Sequence, residues 1–369
     1  MDNARVMDID TLLSPISESQ PTGADARVEP EITPKYYSLK DARTTARAAE
    51  RSNIFDNNTS EIPEWLTIIT QAPQVLCEQT KDIEICCWYT EALVRKEGFS
   101  GLKHGFELIR GLIEEYWDEL YPMPDEDGLE TRVAPLTGLN GSGAEGVLIS
   151  PIRNVSITSG SSHESFSLWQ YQQALDIQKI HDENDRQNRI NSAGFSLSDI
   201  QQSVSETPDD FFVQTLSDLN HCIEDYKAIS NKLDEYCGLE ISPPTRNIIN
   251  VLEECVGAIK HLAGDVLESN EEETIENSDA EINSVTGNNQ PAAVAVGEIS
   301  SREEAFKQLL RISDFFKKTE PHSPIPAVLQ RAVDWGNMPL EQLIQELIPD
   351  NSSREHYSHL TGIKIEDDY

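Results

Sequence analysis

Between Lys260 and Arg302 every charged side chain is Asp or Glu, and no Phe, Trp or Tyr occurs between Tyr236 and Phe306. A stretch that cannot bury apolar surface cannot offset the entropy of being ordered, so residues 268–299 read as an acidic flexible linker. This divides the chain into a long N-terminal part and a compact, aromatic-bearing segment over 300–369. Such an architecture suits a protein that holds partners at its two ends better than one that closes around a small substrate.

The charge balance narrows the choice of partner. With 65 acidic and 29 basic residues in 369, the formal net charge is -36. That field repels phosphate backbones and anionic headgroups, which argues against nucleic acid and membrane surfaces and leaves basic or mixed-charge protein surfaces. No run approaches the roughly eighteen apolar residues of a membrane helix, and MDNARVMDID is acidic where a leader would be basic and apolar, so the chain reads as cytoplasmic. The six cysteines, at 77, 86, 87, 222, 237 and 255, show no C-x-x-C pair and read as small buried hydrophobes in a reducing compartment.

Hydrophobic periodicity makes the chain all-α. Prolines at 15, 21 and 30 give an irregular lead-in that packs Leu12, Leu13 and Ile16. A polar helix runs from Pro34 to about Arg51, and the next carries Trp65, Ile68, Ile69 and Leu76. Residues 82–96 and 100–121 give the clearest signals: Leu102, Phe106, Ile109, Ile113, Tyr116 and Leu120 recur at three- and four-residue spacing. Gly98 separates the two segments, Pro122 stops the second, and the two are expected to pair antiparallel. A helix near 129–140 follows. Short extended segments are expected near 147–158, because GVLISPIRNVSIT is rich in β-branched residues around Pro151. Ser167 is placed to cap a short helix with Leu168, Tyr171 and Leu175.

A middle unit over 196–267 starts with Thr207 as a helix cap ahead of Pro208, Asp209 and Asp210. Phe212, Leu219, Tyr226 and Leu233 then repeat every seven residues, and a second helix after Pro244 carries Leu252, Val256 and Ile259. Two long helices with one stripe each form a hairpin, read as a possible dimerisation unit, with packing on the N-terminal domain (1–180) as the alternative. After the linker, Ser301 is placed to cap a helix through Phe306, Leu309, Ile312 and Phe315. The run TEPHSPIP then forces a turn, and shorter helices carry Val328, Val333 and Trp335. This small domain is expected to need neighbours in an oligomer to complete its core.

No catalytic or ligand-binding signature emerges, so neither an enzyme nor a cofactor or metal is expected. GSGAEG at 141–146 matches G-x-G-x-x-G in letters, yet a helical pattern precedes it where a dinucleotide site needs a strand. DEDG at 125–128 lacks calcium-loop ligands at the outer positions. The eight histidines form no zinc spacing. His322, between prolines, reads as a turn-packing or interface residue before a general base.

Two blocks carry a resemblance. LLSPISESQPTGADAR, the run TKDIEICCWYTEALVRKEGFSGLKHGFELIRGLIEEYWDELYP at 80–122, and the block around IRNVSIT and FSLWQY resemble the ImpA-type N-terminal domain of TssA proteins of the bacterial type VI secretion system. SREEAFKQLLRISDFFKKTEPHSPIPAVLQRAVDWGNMPLEQLIQEL at 301–347 resembles the C-terminal domain of the shorter TssA class. The resemblance implies a non-enzymatic scaffold that forms rings, contacts the baseplate and promotes assembly of tail tube and contractile sheath. An accessory tail cap that stabilises or limits the sheath is the alternative. It further implies that 300–369 is the ring-forming domain. Pro321, His322, Ser323, Pro324, Trp335 and Gly336 match its motif, and Trp88, Gly98, Phe99, Gly101, Trp117 and Pro122 match the N-terminal one. Most of these are expected to be structural: core aromatics and glycines at helix ends.

Overall fold

The computed structural model describes residues 7–56, 62–126, 128–161, 164–264, 302–319, 324–338 and 343. The chain forms two compact units, 1–283 and 284–369. Both are helical in their described residues, in keeping with the all-α expectation.

The first unit is organised around α4 (Ile83–Tyr116), preceded by α1 (Ile9–Leu13), α2 (Thr33–Asp56) and α3 (Pro63–Glu78). Gly98 breaks α4 with φ 62° and ψ -138°, values that admit glycine and little else, so the two arms fold back on one another. Two small residues let the arms close: a Cβ on Gly101 would overlap the Leu93 carbonyl, and one on Gly105 would overlap Thr90. The expected antiparallel pair is therefore present. Asp82 caps α4, its Oδ1 accepting from the Glu84 and Ile85 amides at 2.9 and 3.1 Å. Asp82 and Glu84 also hold Arg27, each at 2.6 Å. Burial opposes the Arg27 charge, yet these two carboxylates outweigh it and push the guanidinium pKa above its ordinary value.

The lead-in is pinned to this core. Leu12 is buried, Leu13 fills the space left by Gly111, and the fully buried Lys81 donates from Nζ to the carbonyls of Leu12 (2.6 Å) and Leu76 (2.9 Å). On the other side of α4 come α5 (Glu130–Asn140), α6 (Ile149–Asn154), α7 (Leu168–Gln178), α8 (Glu183–Ala193) and α9 (Leu197–Glu206). The segment expected to be extended near 147–158 is a helical turn through Ile149–Asn154. Pro151 falls inside that first turn, where its missing N–H costs nothing, and only Ser156 forms an isolated bridge, with Ser167. Ser167 caps α7 in a capping box with Gln170, as its position in the sequence indicated.

The long pair α10 (Asp209–Cys237) and α11 (Arg246–Leu262) completes the unit. Thr207 is not the side-chain cap of α10. Its hydroxyl donates to the Ser203 carbonyl at 2.7 Å and accepts from the Ser159 amide at 2.8 Å, closing α9 instead. The heptad stripe of α10 is buried against the second arm of α4 within the same unit, so Phe212, Leu219, Tyr226 and Leu233 do not form an open dimer seam. The two helices run parallel, and ion pairs one heptad apart set their register: Lys103 with Asp218 at 3.1 Å and Arg110 with Asp225 at 2.5 Å. Phe106 lies on Tyr226 with ring centroids 4.8 Å apart. Intramolecular packing wins because the N-terminal arms expose a matching apolar face one helix away. The start of α11 is completed from a distance: the Asn140 Oδ1 accepts from the Ile248 amide at 3.0 Å, where Thr245 supplies no side-chain cap.

In the second unit, α12 (Arg302–Thr319) packs on α13 (Ile325–Asn337). Ser301, expected to cap α12, lies outside the described residues, as does the expected linker 268–299.

Candidate functional site

The residues of the N-terminal motif are brought together around α4 as packing elements. Trp88 is buried with its ring 5.3 Å from that of Tyr36 and the Arg43 guanidinium 6.0 Å from its centroid. Gly98 makes the reversal and Gly101 the close approach already described. Phe99 is buried, and its carbonyl accepts from the Cys222 thiol of α10 at 3.8 Å. Trp117 stacks on Tyr236 at 5.1 Å, and the Arg132 guanidinium lies 5.1 Å from the Trp117 centroid. Arg132 donates to the carbonyls of both Trp117 (2.5 Å) and Pro122 (3.1 Å), tying these two motif positions together; the Tyr121–Pro122 bond is cis.

Of the C-terminal motif, Pro321, His322 and Ser323 lie outside the described residues. Pro324 precedes α13 as its N-cap residue. A Cβ on Gly336 would overlap the Phe306 ring, so this glycine permits the close crossing of α12 and α13. Trp335 has the Arg331 guanidinium 5.5 Å from its ring, and its indole Nε1 is buried without a hydrogen-bond partner among the described residues. These helices also leave large apolar side chains in solvent. Phe315 is 61% exposed and Val328 59%, with Leu310, Ile312 and Ile325 exposed beside them in sequence. Buried described positions in this unit amount to Ser313 and Val333.

The first unit carries an open groove of about 1710 Å³ lined in part by the Gly98 reversal. Its lining includes Arg47 and Arg51 of α2, Trp169 of α7 and Phe211 at the start of α10. Sequence reading took α2 only as a polar helix. The signal it missed is the four-residue spacing of Arg43, Arg47 and Arg51, which places three guanidinium groups on one face. Arg43 is paired with the buried Glu91 at 2.6 Å. Arg95 is paired with Glu50 at 2.5 Å and lies 4.1 Å from the Trp65 centroid.

GSGAEG is a loop between α5 and α6, and the Val147 and Leu148 amides donate back to Gly138 and Leu139 at 3.1 and 3.2 Å. No group of three or more His, Cys, Asp or Glu among the described residues is arranged to hold a metal ion. All six cysteines are free, four of them buried, and burial pushes the Cys255 thiol up to about 12, away from nucleophilic use at neutral pH.

Comparison with known proteins follows the same division. Residues 13–141 match the family described as ImpA, N-terminal, type VI secretion system. The chain is 24% identical over 355 residues to the type VI secretion system component TssA1 of Pseudomonas aeruginosa, covering 95% of this chain and 97% of that protein. The chain is thus similar to a TssA protein over nearly its whole length and carries an ImpA-type match within its N-terminal part. A solved structure of the N-terminal domain of the TssA component from Burkholderia cenocepacia, which includes the conserved ImpA_N region, superposes with a TM-score of 0.59. Its identity is 25%, and it covers 72% of this chain and 98% of that one. The structural likeness therefore reaches well beyond 13–141. Among the described residues no helix is long and apolar enough to cross a membrane.

Proposed function

We propose that this chain is a TssA-type protein: a non-enzymatic, oligomeric scaffold of the type VI secretion system, acting in the bacterial cytoplasm. In this reading it contacts the baseplate and promotes assembly of the tail tube and contractile sheath. The observation that carries the reading is the likeness to TssA1, which spans 95% of the chain and so takes in both compact units.

Physical chemistry supplies the mode of assembly. The exposed apolar positions of α12 and α13, Phe315 and Val328 foremost, have the character of an interface core. A small helical unit with few buried positions gains its missing core by packing against copies of itself. The residues Pro321, His322, Ser323, Pro324, Trp335 and Gly336 then shape the associating domain, while the N-terminal motif maintains the α4 reversal that presents the first unit to tail components.

Light scattering of the full-length protein tests the proposal. A mass several times that of one chain, reduced by Phe315→Glu without loss of helix content, is the expected result. A monomer at micromolar concentration that shows no affinity for purified sheath, tube or baseplate proteins would sink it.

A further inference from the structure

We propose that the groove at the Gly98 reversal binds an extended acidic segment of a partner protein, with Arg47 and Arg51 engaging its carboxylates and Trp169 an apolar side chain. The site lies wholly within the first unit, so it stands apart from the self-association proposed above.

The first argument is local charge. The groove is lined by five basic residues, Arg47, Arg51, Arg95, Lys96 and Arg153, and five acidic ones. The whole chain carries 65 acids to 29 bases, so this surface is strongly enriched in cations. Three of its five acids are already paired, two of them by Arg95 and Arg153 of the same lining, which leaves Arg47 and Arg51 as the cations that face a ligand. Glu50 is held by Arg95 and by the Trp65 indole, Glu145 by Arg153, and Asp218 by Lys103.

The second is an unmet need. Arg47 and Arg51 form no ion pair or hydrogen bond among the described residues, while Arg43, four residues before Arg47, pairs with Glu91. Burial lowers the pKa of Arg47; Glu91 offsets this, but Arg43, Arg95 and Arg51 add repulsion. A guanidinium stays charged in a protein, so the repulsion persists until an anion arrives. The lining holds two further unmet polar atoms. Arg153 Nε, on a guanidinium whose Nη1 pairs with Glu145, and Gln173 Oε1 are buried without partners among the described residues, a donor and an acceptor of the kinds that an extended backbone satisfies once the side chains turn toward it.

The third is the apolar content. Trp169 stands 51% exposed on a helix fixed by its capping box, so its ring is presented at low entropic cost. Trp and Arg, which line the same groove here, are the residue types enriched in interface hot spots. The net charge of -36 does not forbid an acidic ligand, because at about 0.15 M salt charges beyond about 8 Å are screened and the groove's own cations decide. Polyanions of high charge density are a poorer fit, since they extend past the groove onto acidic surface.

Fluorescence anisotropy with the full-length chain and a labelled peptide in which glutamate and leucine alternate tests this. Saturable binding is expected, absent for a peptide with lysine in place of glutamate. Arg51→Glu, a change at an exposed position, should weaken it about tenfold or more, and Trp169→Ala comparably, with helix content unchanged. Arg47→Lys should retain part of the affinity. No saturable binding, or binding indifferent to these substitutions, overturns the proposal. So does preferential binding of duplex DNA or phosphatidylserine vesicles through the same arginines.

Discussion

At the scale of single residues, the first unit is held by a few positions whose chemistry allows no substitute. Gly98→Ala puts a Cβ on a backbone at φ 62° and ψ -138° and brings it toward Val155, so about 1–3 kcal/mol of stability should be lost, read as a lower Tm. Lys81 provides a pH test. Burial depresses its pKa to about 8, with Cys77 and Glu115 opposing. A base whose folded pKa lies below its unfolded value binds fewer protons when folded, so stability should rise as pH increases from about 8 toward the ordinary lysine range near 10.5. Urea titrations across that window should show the rise in the parent and its absence in Lys81→Met, which is also less stable throughout because two buried carbonyls lose their donor. Equal slopes for the two proteins would remove Lys81 as the cause.

At the scale of elements, what the sequence makes legible is what local pattern determines. The α4 arms, the Gly98 break and the Ser167 cap follow from apolar spacing, a glycine and a hydroxyl, each signal lying within a few residues of the feature it determines. Where the chain meets itself across a hundred residues, the pattern is silent: the heptad of α10 indicates that a partner helix exists and not whose. The decisive features are the Lys103–Asp218 and Arg110–Asp225 pairs, whose common separation of 115 residues no local window contains. The Thr207 reading failed for a related reason, since a hydroxyl before a helix has two ends to serve and here the preceding helix took it. The groove was illegible because its walls come from α2, α7 and α10, although the arginine spacing on α2 was open to reading. The packing of α10 on α4 gives a clear expectation. Tyr226→Ala, at a buried position against Phe106, should cost about 3–5 kcal/mol, whereas Val213→Ala on the exposed side of α10 should stay within about 0.5 kcal/mol. Similar losses at both positions would mean that the stripe faces elsewhere.

At the scale of the whole molecule, association must work against charge. Each chain carries a formal net charge of -36, so bringing copies together raises a repulsion that acts over the Debye length, about 30 Å at 0.01 M salt and about 10 Å at 0.1 M. The proposed contact through Phe315 and Val328 is apolar and insensitive to screening. Salt therefore weakens the opposing term and leaves the favourable one in place. Scattering mass at fixed protein concentration should increase between about 0.01 and 0.1 M salt and then level off, the screening length having fallen below the spacing of most surface charges. An acidic peptide in the groove should behave differently. Screening first relieves the repulsion from distant carboxylates and then erodes the attraction of Arg47 and Arg51, so its affinity should pass through a maximum. An assembly that instead dissolved steadily as salt rose would be held by ion pairs, and the exposed apolar face of α12 and α13 would not be its contact.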